Sequence, residues 1–214
     1  MDCNKQFLCF CYNPDDFEKN VVVFEKPGVS RMTTQENRRS KITRRVFRES
    51  LTELMLEKGL QKISVNEICK RADMNRSTFY AHYEDQFDLL REIEDEFLIA
   101  LRTTVTESNL QNFAQRFEKY LGYLQQNGSL FTLLMREAPD FRDRIIREAF
   151  SLYEMRKESG MIASEDPRFA QKLYFVSGGS LLMLEKWIEE NSEITTSEMA
   201  DMLYSFWDGI NGIT

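Results

Sequence analysis

SVNEICKRADMNRSTFYAHYEDQ, residues 64–86, reads as two short helices joined by a tight turn. Ser64 and Glu67 stand at the S-x-x-E spacing of a capping box, worth about 1 kcal/mol to a short helix start. That helix runs to about Ala72. After the turn, Asn75 is placed to cap a second helix, with Met74 and Phe79 at the spacing of a hydrophobic staple. Ile63, Val65, Ile68, Ala72, Met74 and Phe79 form a small core. The opposite surface then carries Asn66, Arg76, Ser77, Thr78, Tyr80 and His82. A short helix presenting Arg, Ser, Thr and Tyr near its start suits a DNA major groove, where Arg reads guanine bidentately and hydroxyls reach bases or phosphates. Helix N-termini add a favourable end for phosphate.

The charge pattern agrees with a polyanion partner, although the whole chain of 214 residues carries a net charge of -7. Residues 38–83 hold 11 Lys+Arg against 5 Asp+Glu, a local charge of +6, which leaves -13 for the rest. A basic module is attached to an acidic body, and the total conceals it.

Working outward, Ile42, Val46, Leu51, Leu54, Met55 and Leu56 mark an amphipathic helix from Ser40 that stops at Gly59. Residues 1–37 lack a helical period, contain a β-like VVVF at Val21–Phe24, and read as a disordered or non-native tail, with Met32 placed as an ordinary start would be. Downstream, a long helix from about Asp85 is followed by helices near residues 110–126, 129–137, 140–157, 167–190 and 196–210. The breaks fall at NGS, APD, ASEDP and ENSEITTS. With 4 Pro, 9 Gly, 42% hydrophobic and 29% charged residues, the composition is that of an all-α globular protein.

No run of about 18 apolar residues and no signal-peptide pattern is present, so the reading is a cytoplasmic protein without membrane contact. Cys3, Cys9 and Cys11 crowd the tail without a fourth ligand, and Cys69 falls on the apolar side of its helix as a plain core thiol. A chain with one histidine cannot build a multi-histidine metal site. No phosphate-binding glycine loop or nucleophile elbow is visible, so neither a cofactor nor a catalytic residue is expected.

Lys62–Leu90, KISVNEICKRADMNRSTFYAHYEDQFDLL, resembles the DNA-binding module of the TetR family of bacterial repressors. Asp73 replaces the usual turn glycine, Ser77 stands where glycine is frequent, and Gln86 where a lysine usually meets phosphate. The resemblance implies a three-helix DNA-binding domain over residues 38–84 and a helical effector-binding and dimerisation domain over residues 85–214. It makes Ser64, Tyr80, His82 and Gln86 candidate phosphate or backbone contacts, and Asn66, Arg76, Ser77 and Thr78 candidate base readers, with Tyr80 open to both roles. Lys41 and Arg44 are weaker phosphate candidates.

For the body, the same resemblance implies a dimeric repressor of double-stranded operator DNA, released by a small-molecule effector. A regulator controlled by a partner protein and, more remotely, a helical enzyme stay open as alternatives. Aromatic residues at helical spacing nominate Phe97, Phe117, Tyr120, Phe131, Met135, Tyr153 and Tyr174 for an effector pocket, with a plain core as the competing reading. YFVSGGSLLMLEKWIEEN and TTSEMADMLYSFWDGI resemble the last two helices of family members that dimerise there. Gly178, Gly179, Leu182, Trp187, Met202 and Phe206 are the interface candidates, against an intrachain contact for the small residues.

Overall fold

A computed structural model describes residues 34–106, 113–158, 168–190 and 192–211. The Val21–Phe24 run, the three N-terminal cysteines and nearly all of the expected tail lie outside the described residues. Among those described there are no strands. The helices are α1 (Thr34–Lys58), α2 (Val65–Arg71), α3 (Arg76–Tyr80), α4 (Gln86–Thr106), α5 (Phe113–Gln126), α6 (Gly128–Glu137), α7 (Phe141–Glu158), α8 (Phe169–Glu189) and α9 (Thr196–Asn211), with a 3-10 turn at Leu60–Lys62. The all-α reading holds. α1 starts at Thr34 rather than Ser40, because its polar first turns offer no apolar period to read.

The chain divides into two compact units, Met1–Thr43 and Arg44–Thr214. In the first, the described residues belong to the opening turns of α1, where Arg38, Arg39 and Lys41 are exposed. The second contains everything downstream. Its main core is one connected set of buried side chains running from Phe47 to Leu203.

Around α3, Phe47 of α1 meets Phe79 edge-on at 5.2 Å between ring centroids, and Tyr83 packs against both at 6.3 and 5.4 Å. Phe47 and Phe79 are fully buried. Burying an aromatic side chain contributes several kcal/mol, so α3, only five residues long, is held by packing rather than by its own helix propensity. Arg71 extends two carboxylate contacts to α1, at 3.0 Å to Glu53 and 2.8 Å to Glu57, surface pairs that add little to the hold of the packing.

The turn between α2 and α3 is a Schellman motif. Met74 N donates to Cys69 O at 3.0 Å and Asp73 N to Lys70 O at 3.4 Å, with Asp73 in the left-handed region at φ 51. An aspartate tolerates this conformation better than most residues, but glycine adopts it without steric cost. Asp73→Gly is therefore expected to preserve the turn and stabilise the chain by about 0.5–1 kcal/mol, roughly a 2 °C rise in Tm for a protein of this size. A thermal scan showing a lower Tm would contradict this account of the turn.

Gly59 ends α1 at φ 76, and a Cβ added there would lie 3.0 Å from Glu137 Oε2. The same carboxylate oxygen accepts a hydrogen bond from Leu60 N at 2.8 Å. That contact and Arg136 hold the Glu137 carboxyl below the ordinary range. The turn after α1 is thus tied to the last residue of α6.

Candidate nucleic-acid interface

The capping box forms as the spacing requires. Ser64 N donates to Glu67 Oε2 at 3.0 Å, and Glu67 N donates to Ser64 Oγ at 3.4 Å. The Ser64 hydroxyl also donates to Glu67 Oε2 at 2.8 Å. Lys58, followed by the Ser64 backbone and hydroxyl, pulls the Glu67 carboxyl down to about 2. A phosphate arriving at Ser64 must therefore share its groups with a capping carboxylate. Lys62, exposed just ahead of the cap and without an ion pair among the described residues, is a basic group there that sequence reasoning passed over.

Asn75 occupies the N-cap of α3 in extended conformation, but its side chain makes no capping hydrogen bond. α3 exposes Arg76, Ser77 and Tyr80, while Thr78 is half-buried; Asn66 is exposed on α2. Arg76 and Tyr80, one helical turn apart, come together: Arg76 Nη2 lies 3.3 Å from the Tyr80 hydroxyl, and its guanidinium carbon 5.7 Å from the ring centroid. The Tyr80 ring leans edge-on against buried Phe79 at 5.7 Å. Two exposed side chains are thus oriented before any partner arrives, which lowers the ordering cost of binding.

His82 is half-buried. Burial first, and then the Arg44 charge, hold its imidazole below the ordinary value, so near neutral pH it is an uncharged hydrogen-bond donor. Arg44 is engaged by a residue the sequence did not single out. Its guanidinium grips Glu92, with Nε at 3.0 Å and Nη2 at 2.5 Å from Oε2. Arg48 Nη1 reaches the same carboxylate at 2.5 Å. Burial opposes ionisation of Glu92, but the two arginines outweigh it and hold its carboxyl low. A phosphate at Arg44 has to compete with Glu92. Lys41, in the first unit, is exposed.

Gln86 opens α4, whose first turn is capped by Asp85 Oδ1, accepting from Phe87 N at 2.8 Å and Asp88 N at 2.9 Å. Acidic neighbours and a neutral side chain make this a weak place for phosphate. Gln86→Lys is expected to strengthen DNA binding and to steepen the dependence of log K on log salt by about 0.9, the signature of one further neutralised phosphate. An unchanged slope in a salt titration would remove position 86 from the interface.

The body candidates separate into three groups. Phe97, Phe131 and Met135 are buried in the main core; Phe97 packs on Phe131 at 6.2 Å and on Phe141 at 5.6 Å between centroids. Phe117 and Tyr120 are half-buried and stacked at 5.6 Å. Tyr174, expected in a pocket, is 58% exposed, because it stands about 100° around α8 from the buried Leu173. The side chain of Tyr153 lies outside the described residues.

Among the interface candidates, Leu182, Met202 and Phe206 are exposed at 57%, 38% and 52%. A Cβ on Gly178 or Gly179 would meet nothing within 4 Å. Trp187 corrects the expectation: it is buried within its own chain, and its Nε1 donates to Ile194 O at 2.8 Å. Cys69 is a buried core thiol whose ionisation burial opposes. No described helix is long and apolar enough to cross a membrane.

Comparison with known proteins matches residues 49–93 to the family model of bacterial regulatory proteins of the tetR family. Residues 111–209 match a transcriptional regulator C-terminal region. A TetR-family regulator structure from Streptococcus agalactiae 2603V superimposes with a TM-score of 0.62 at 21% identity, covering 83% of this chain and 98% of that one. A second, from Syntrophomonas wolfei, gives a TM-score of 0.62 at 21% identity over 81% and 97%. The uncharacterized HTH-type transcriptional regulator YxbF of Bacillus subtilis (strain 168) is 22% identical over 95 residues. That match spans 41% of this chain but only 25% of the relative.

Proposed function

From a chain that belongs to the TetR family of transcriptional regulators, we infer a dimeric repressor that reads a palindromic operator with α3 and is released by a small-molecule effector. The observation that carries the reading is the exposed Arg76–Tyr80 pair, oriented on a short helix that is seated by a Schellman turn and a buried aromatic cluster. Arg76 supplies bidentate donors for a guanine edge. Asn66, Ser77 and Thr78 supply further polar groups, while Tyr80, His82 and Lys62 serve the backbone.

One such head reads only a few base pairs. A two-fold dimer reads two half-sites about one helical turn apart, roughly 34 Å. The exposed apolar stripe of α8 with Met202 and Phe206 of α9 supports that assembly, since an apolar patch of this kind on a globular chain marks a contact surface. An effector that prefers the free form weakens operator binding by the factor with which DNA weakens effector binding.

Selection of bound sequences from a random DNA pool tests the reading. The expected result is an inverted repeat containing a G·C pair in each half-site. Recovery of no common sequence, or of a single unrepeated half-site, overturns it.

A further inference from the structure

A groove of about 480 Å³ opens between α1 and the helices α4, α5 and α6, within the size range of small-molecule sites. Its floor is apolar: Ile93 and Phe97 are buried there, with Ala100, Tyr123 and Leu130 half-buried beside them. The Phe97 and Tyr123 rings meet at 5.5 Å between centroids. The hydroxyls of Thr52 and Tyr123 make no hydrogen bond among the described residues.

The rim is acidic. Glu49, Glu53 and Glu96 stand against a single basic residue, Arg48. Arg48 is not available to an incoming anion, because its Nη1 already lies 2.5 Å from Glu92 and 2.6 Å from Glu96. Glu49 and Glu53 are more than half exposed, and their partners, Arg45 at 3.7 Å and Arg71 at 3.0 Å, are surface pairs that water and salt already weaken. A cation entering the groove therefore gains Glu49 and Glu53 at little cost and shares Glu96 with Arg48. Aromatic rings in the wall favour a positive charge as well.

We propose that this groove binds an amphipathic organic cation, its apolar body on Ile93, Phe97 and Leu130 and its charged end among Glu49, Glu53 and Glu96. The occupant touches α1 of the DNA-reading head and three helices of the body at once. Its role as the effector rests on the function proposed above; its binding does not, and is measured without DNA.

The test uses the full chain and two ions of matching shape, tetraphenylphosphonium and tetraphenylborate, followed by titration calorimetry. The cation is expected to bind saturably at one site, at least tenfold more tightly than the anion. Glu49→Gln/Glu53→Gln/Glu96→Gln is expected to weaken the cation at least tenfold. Ala100→Leu, which narrows the floor with an apolar side chain, is expected to weaken it too and covers the case in which the triple variant loses its fold. No saturable cation binding overturns the proposal, as do equal affinity for the two ions and affinity unchanged by a folded variant.

Discussion

Arg76→Ala and Tyr80→Ala are each expected to weaken operator binding while leaving helix content and oligomeric state as they are. Both side chains are exposed, so neither truncation opens a cavity in the core formed by Phe47, Phe79 and Tyr83. A base-edge contact is worth about 1–3 kcal/mol, or roughly 5- to 150-fold in affinity, and its loss relaxes preference at one base pair. The pair also predicts a graded series. Tyr80→Phe keeps the ring 5.7 Å from the Arg76 guanidinium but loses the 3.3 Å hydrogen bond, so it should retain part of the binding that Tyr80→Ala loses. The measurement is a titration of operator and unrelated DNA at one fixed salt concentration. Equal affinity of wild type and both alanine variants for the operator would show that α3 does not read it.

The reading head was legible because its signals are local. Ser64 and Glu67 are three residues apart and form the box their spacing announces. Met74 and Phe79 bracket the start of α3, and Gly59 ends α1 in a positive-φ conformation that a side chain would strain. Asp73, doubtful in a position where glycine is usual, keeps the left-handed turn. What the head concealed was pairing at long range. Arg44 meets Glu92 across 48 residues, and Leu60 meets Glu137 across 77, so no local pattern marks either partner. Yet Glu92 decides how freely Arg44 can meet phosphate.

In the body, hydrophobic periodicity separates buried from exposed faces but not one kind of burial from another. Phe97 and Phe131 fit a pocket wall and a packed core equally well; their ring contacts place both in the core, where Phe97 also floors the groove beside α1. Leu173 and Tyr174 are adjacent, so about 100° of helix rotation turns one inward and the other outward. Trp187 offered large apolar area near a small-residue stretch, and only three-dimensional placement shows that its own chain covers it. The acidic groove beside α1 draws on residues from four helices, beyond the reach of any single window of sequence.

Leu182→Glu is expected to convert the proposed dimer to monomer and, through that loss, to weaken operator binding by orders of magnitude. On α8, Tyr174, Phe175, Gly178, Gly179 and Leu182 follow one another at helical spacing on the face away from the buried Leu173, Val176, Leu181 and Leu184. Phe175 is 81% exposed, a large cost in water unless a second copy covers it. The two glycines leave open space in which a partner helix can approach closely. A two-fold axis places each substitution in the interface twice, and every unpaired carboxylate moved out of water costs several kcal/mol. Because Leu182 is 57% exposed in the single chain, the folded monomer should tolerate the change, with helix content preserved. Sedimentation equilibrium reads the outcome directly. A variant that remains dimeric at micromolar concentration would move the interface off this face, and with it the geometry by which two α3 helices meet one palindrome.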